Sequence, residues 1–155
     1  MTNERRLKAL TVRQPWAWAI MERHKRVENR SWCPPDWALS EFIAIHAAKG
    51  RPNAESMEWL EGQVKGAKPA LVFGAILGLV RIRESITDVR VGRKRYGEWF
   101  GGPVGWALSD VFALPEALPC KGQLGLWNVP PALAGRIWGW ADAGTKAPRD
   151  RRRAV

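Results

Sequence analysis

Apolar residues recur along this chain at two spacings, and the changes between them mark its elements. Residues 9–13 alternate weakly and predict a first strand. Pro15 then suits the first turn of a helix, where its missing N–H costs nothing. Trp16, Ala19 and Ile20 fall on one helical face, Arg23 extends it with a long stem, and the helix is expected to end near His24 or Lys25. From Arg26 the period becomes two. Arg26, Glu28, Arg30 and Trp32 share one face of a strand and Val27, Asn29 and Ser31 the other, until Pro34 and Pro35 stop it.

Residues 42–48 are apolar on both faces and predict a central strand, with His46 beside Phe42 and Ala44 and with Lys49 closing it. Asn53 can cap a short helix over 54–64 whose core stripe is Met57, Leu60 and Val64. Residues 71–83 read as a long strand with Gly74 and Gly78 on one face, a spacing that lets a strand bend or another backbone come close. Residues 105–114 and 122–129 read as the last two strands, and Pro130 and Pro131 open a final helix carrying Leu133, Ile137 and Trp140. Between the 71–83 and 105–114 strands, 87–102 has little apolar periodicity and interleaves Arg90, Arg93, Lys94 and Arg95 with Tyr96, Trp99 and Phe100. It reads as a flexible, basic loop. The division is a frayed basic arm at 1–8, one domain at 9–142 and a basic disordered tail at 143–155. Many short strands with bending glycines predict an α+β, mainly β fold: a small barrel decorated by about three helices.

Composition sharpens the partner class. A formal net charge of +10 and a pI near 10.4 favour a polyanion. Ten tryptophans add flat stacking faces, a combination that suits single-stranded RNA, or DNA, better than a bare basic surface does. Cys33 and Cys120 lack CxxC spacing and there are two histidines, so zinc is not expected. Residues 1–8 are polar and charged with no apolar region behind them, and the longest apolar run, 70–80, is too short for a bilayer. The expectation is a cytoplasmic protein with reduced thiols and no membrane partner.

The densest chemistry lies at 10–32, where Lys25, Glu28 and Arg30 stand between Trp16 and Trp32. Arg30 offers a bidentate fork to a phosphate and Lys25 a mobile point charge, with Glu28 holding both. The same three residues would also serve as a salt-bridge triad pinning helix to strand. His46 is a candidate general acid or base for metal-free cleavage of RNA, with Lys25, Lys49 and Lys121 as cations around the phosphate. Its plain alternative is a satisfied core histidine. Trp16, Trp32 and Trp106 are candidates for stacking on bases, while Trp59, Trp127 and Trp138 are assigned to packing. Arg13, Arg81, Arg93, Lys94, Arg95 and Tyr96 are the remaining candidate contacts to a strand. Asp110 and Glu116 stand apart, so no acidic cluster for magnesium is visible. No cofactor is predicted, a divalent metal stays open, and the sequence does not fix an oligomeric state.

In this order the segments LTVRQPWAWAIMERHKRVENRSW, FIAIHAAK, GAILGLV, GPVGWALSDVFAL and KGQLGLWNVP resemble the ASCH family, the ASC-1 homology domains of the PUA-like superfamily, over roughly residues 10–130. The resemblance implies a PUA-like pseudo-barrel with a cleft beside the first helix, and an association with RNA. Some members resemble ribonucleases acting on single strands, which makes a ribonuclease the first functional expectation and a non-catalytic RNA or DNA reader the second. A small subgroup are amidohydrolases of an acylated cytidine, with a lysine followed three residues later by a threonine. Lys25 matches that lysine, but Glu28 stands at the threonine position, so the expected hydroxyl nucleophile is missing.

Overall fold

The computed structural model describes residues 5–63 and 70–144. Ten regular elements follow one another: β1 (Lys8–Val12), α1 (Trp16–Glu22), β2 (Val27–Arg30), β3 (Phe42–Ala47), α2 (Ala54–Gln63), β4 (Ala75–Ile86), α3 (Val89–Tyr96), β5 (Val104–Pro119), β6 (Leu126–Asn128) and α4 (Pro131–Asp142). The strands form one curled sheet in the order β2-β5-β4-β3-β1-β6. β1 and β3 run parallel, with Thr11 opposite His46, and the other pairings are antiparallel. The result is the expected α+β, mainly β half-barrel of the PUA-like kind.

Both faces of the central strands are covered, which explains why β3 is apolar throughout. Leu10, Val12, Ile43, Ile45, Val80 and Ile82 pack with Ala17 and Ile20 of α1. Their neighbours Ala9, Ala44 and Leu79 point the other way, into a cluster with Ile137 and Trp138 of α4. Gly78 is the close-approach glycine, since a Cβ there would lie 2.4 Å from the Phe112 carbonyl oxygen and 2.5 Å from Met21 Sδ. Gly74 lies before β4, in a left-handed turn at φ 63°.

Two expectations need correcting. Residues 87–102 are not a loop. Asp88 caps α3 by accepting from the Arg90 and Val91 N–H groups at 2.9 and 3.4 Å. Arg93, Lys94 and Arg95 sit in its last turn, where cations suit the helix dipole. Gly92 lets the Phe100 ring close against the helix, with only 2.4 Å left for a Cβ. Nor is the amino-terminal arm frayed over its whole length. Leu7 is buried, and the Arg5 guanidinium lies 3.7 Å over Trp138 and pairs with Asp142. Residues 1–4, Val64 and the tail from 145 onward lie outside the described residues.

Candidate functional site

α1 is short; a side chain sets its start and a backbone turn its end. The Gln14 carboxamide, 2% exposed, accepts from the Trp18 N–H at 2.9 Å and donates to the Val72 carbonyl at 2.8 Å. His24, at φ 56°, turns the chain out of the helix, and the Lys25 N–H reaches back to the Ala19 carbonyl. That reversal drives the Lys25 side chain inward beside β2.

Lys25 is 3% exposed and Glu28 6%. Lys25 Nζ donates to the Val27 carbonyl at 2.5 Å and to Glu28 Oε2 at 3.3 Å. The other carboxylate oxygen accepts from Arg30 Nε at 3.2 Å, and Arg30 Nη2 donates to the Thr11 carbonyl at 2.8 Å. The three residues therefore form a triad, buried at Lys25 and Glu28 and half-buried at Arg30, that also ties β2 to β1. An ammonium has three donors. Two of Lys25's are engaged here, and the third has no protein acceptor among the described residues.

Lys25, Glu28, Asn29 and Trp16 form one side of a cleft of about 500 Å³. α2 supplies a second side. Asn53 caps that helix by accepting from the Glu55 N–H at 2.7 Å, and Leu60 packs it onto Trp18 and Ala19, which leaves Glu55, Ser56 and Trp59 facing the cleft. The third side is a short 3-10 turn, Gly97–Trp99, with Glu98, Trp99 and the following Gly101. Asn29 fixes that turn: its Oδ1 accepts from Gly101 and Gly102, and its Nδ2 donates to the Trp99 carbonyl.

Trp16, Trp59 and Trp99 meet edge to face, with ring centroids 5.6, 6.4 and 5.4 Å apart. Spacings this short leave no room for a guest between the rings, so a ligand lies against the cluster and not inside it. Glu28, Glu55 and Glu98 line the cleft together with one lysine. Although the chain is strongly basic, its main cleft is not. Beyond Trp59 and Trp99 lies a second cleft, of about 490 Å³.

The other candidate residues are scattered. His46 is 1% exposed in the core. Its Nε2 lies 2.8 Å from the Cys120 carbonyl, so Nε2 carries the proton and donates. Its Nδ1 lies 3.2 Å from Thr11 Oγ1, which itself accepts from the Trp127 indole N–H. Both ring nitrogens are thus engaged, and His46 does not line the cleft. Trp106 is fully buried, with Trp32 edge-on above it at 4.7 Å, so its ring is not open to a base; Trp32 keeps 36% of its surface exposed. Arg81 pairs with Asp110 and stacks on Phe42. Arg13, Lys49 and Lys121 are exposed and stand outside the cleft lining. Arg93 and Lys94 are exposed on α3 with Arg90, whereas the charge of Arg95 is taken up by Glu84. Tyr96 faces the second cleft. Arg26 precedes β2 and folds its guanidinium back to the Ile20 carbonyl.

Sequence reasoning did not single out Asn29, Glu55, Ser56 and Glu98 as cleft residues; Trp59, assigned to packing, does pack against the Trp18–Leu60 cluster but lines the cleft as well. Asn29 alone carried a signal, as a polar residue inside the Lys25–Arg30 run. Trp127 and Trp138 are core residues, as expected. Among the described residues, no three His, Cys, Asp or Glu side chains converge as metal ligands, and no helix is long and apolar enough to cross a membrane.

Comparison with known proteins agrees with this architecture. No curated protein matches the chain. The crystal structure of ASCH from Zymomonas mobilis is similar, with a TM-score of 0.53 and 17% identity, covering 83% of this chain and 92% of that one. A tyrosine-to-phenylalanine mutant of that protein aligns with a TM-score of 0.55 and 18% identity, over 87% and 98% of the two chains. At such identity the likeness concerns the fold. The ASCH domain model matches residues 10–101, a span that contains every residue lining the main cleft. This chain belongs to the ASCH domain family.

Proposed function

We propose that this protein binds single-stranded RNA by taking an unpaired base against the tryptophan wall of the main cleft. The observation that carries this reading is Lys25, an almost wholly buried ammonium 5.9 Å over the Trp16 ring, with one N–H that no described residue accepts, set into a cleft walled by Trp16, Trp59 and Trp99. An unpaired base brings what the cleft lacks. Its π face covers the indoles, a ring carbonyl or nitrogen accepts from Lys25, and its N–H groups reach the carboxylates of Glu55 and Glu98. A phosphate fits the carboxylate-lined cleft poorly. The backbone instead follows exposed cations outside it, above all Arg90, Arg93 and Lys94, which lie three and four positions apart on α3 and lead into the turn that carries Trp99.

Labelled single strands of RNA, DNA and duplex, titrated at several salt concentrations, test the reading. Affinity for the single RNA strand should fall steeply with salt and drop about tenfold or more in Trp59→Ala, the size of one lost base stack. A flat salt response, or equal affinity for the duplex, would overturn it.

Cleavage of the bound strand is a second reading, favoured by the Lys25–Glu28 contact at the cleft wall. In this reading the phosphate takes the place of the base at Lys25. The 2′-hydroxyl attacks phosphorus, a cleft carboxylate such as Glu98 takes its proton, and Lys25 counters the developing charge. The 5′-oxygen leaves with a proton from water, giving a 2′,3′-cyclic phosphate. His46, in the core, is given no part in it. A labelled RNA that stays intact with and without divalent metal removes this reading and leaves the first in place.

A further inference from the structure

The second cleft is built like a neighbour of the first. The two share Trp59, Glu98 and Trp99 as a common partition. Their volumes are nearly equal, about 500 and 490 Å³. Arg23, Gln63 and Tyr96 complete the second one. Arg23 leans its guanidinium over Trp18 at 4.9 Å and has one N–H on the Glu22 carbonyl, while its Nε is buried without a partner. Its planar fork is therefore held at the cleft with donor capacity left over.

We propose that this second cleft takes the adjacent nucleotide of the same strand, so that the binding unit is a dinucleotide splayed across the Trp59–Trp99 partition. The proposal rests on the reading of the main cleft as a base site. The two clefts are contiguous, since Trp59, Glu98 and Trp99 line both, so neighbouring bases of one strand could lie on either side of this edge-to-face indole pair. Each base then covers one side of the partition. Tyr96 and Gln63 offer hydrogen bonds to the second base, and Arg23 is the cation for its phosphate. The first cleft has only Lys25, buried and bound to Glu28, so the two sites divide the work: one holds a base, the other a base with its phosphate.

Calorimetric titration separates the outcomes. The ligands are nucleoside 5′-monophosphates, nucleoside 3′,5′-bisphosphates and dinucleotides, all at one ionic strength. The dinucleotide should bind about tenfold tighter than the monophosphate, the increment of one further base–aromatic contact. The bisphosphate controls for charge and should recover little of that gain. Gln63→Ala and Arg23→Ala should each weaken the dinucleotide more than the monophosphate, and Trp59→Ala should weaken both ligands. Gln63 is exposed at the end of α2, so its replacement keeps the test sound if Arg23→Ala disturbs folding. Equal affinity for monophosphate and dinucleotide, or a bisphosphate as tight as the dinucleotide, would overturn the second site alone. If none of these ligands binds, the base-site reading falls, and the second site with it.

Discussion

The Asn29 side chain donates to the Trp99 carbonyl at 2.9 Å and so joins β2 to the opposite wall of the cleft. Its oxygen holds Gly101 and Gly102 at the same time. Asn29→Ala should cost about 1–3 kcal/mol in urea unfolding, because it leaves backbone groups of the turn unpaired. Ligand affinity should fall with it, since Trp99 loses its anchor. Asn29→Asp keeps the acceptor and loses the donor, and should fall between wild type and alanine in both measurements. An alanine variant with full affinity would show that the turn holds itself.

Glu28 balances two cations, one through each oxygen. Glu28→Gln leaves the Lys25 ammonium buried without its counterion and should cost about 3–5 kcal/mol. Adding Lys25→Met removes the stranded charge and should restore much of that stability in chemical denaturation, though not ligand binding. If the single and double variants are equally unstable, the triad is not electrostatically coupled.

Trp106 and Trp32 touch but do different work. Trp106→Ala should cost about 3–5 kcal/mol, as expected for an aromatic ring removed from a packed core. Trp32→Ala, at a ring more than one-third exposed, should stay within about 1 kcal/mol. Comparable losses in the two denaturation midpoints would contradict this division.

The thiols differ by environment. Burial pushes the Cys120 thiol above its ordinary range, so it holds less thiolate at a given pH, whereas Cys33 is exposed. The thiolate is the nucleophile, so iodoacetamide at pH 8 should label Cys33 well before Cys120, as read by mass spectrometry of peptides. Raising the pH should narrow the gap. Because the native state keeps the Cys120 proton that the unfolded chain gives up, the same shift lowers stability as pH rises past the ordinary thiol pKa, about 8.5. Faster labelling of Cys120 would show that its thiol is not sheltered by burial.

The strand and helix order was legible because apolar spacing was strong wherever an element had a buried face, as in β3 and α1. The helix α3 was not legible, for its local sequence offers almost no buried stripe. It stands on the Asp88 cap and on the Phe100 ring resting against Gly92, and the second of these exists only once the fold is formed. The Lys25–Glu28–Arg30 cluster could be found by spacing, since three charged residues at a helix-to-strand turn must meet. The other walls of the cleft could not. Glu55 and Trp59 reach it from α2 and Glu98 from the turn after α3, and nothing in a linear pattern says that these two elements lean toward each other. His46 was ambiguous for a related reason. Its partner Thr11 lies opposite it across the parallel β1–β3 pairing, a register that the pattern of either strand alone does not state.

The strand order has a consequence for synthesis on the ribosome. β1 lies between β3 and β6, and Lys8 is opposite Asn128. The chain must therefore emerge almost to α4 before its first strand acquires its second neighbour. Every wall of the main cleft lies earlier, between Trp16 and Gly101. Glu28, however, gains its strand partner Trp106 only when β5 appears. A nascent chain halted before β5 would expose Trp16, Trp59 and Trp99 with no completed sheet behind them, which makes the emergence of β5 the step that turns a sticky aromatic surface into a defined cleft.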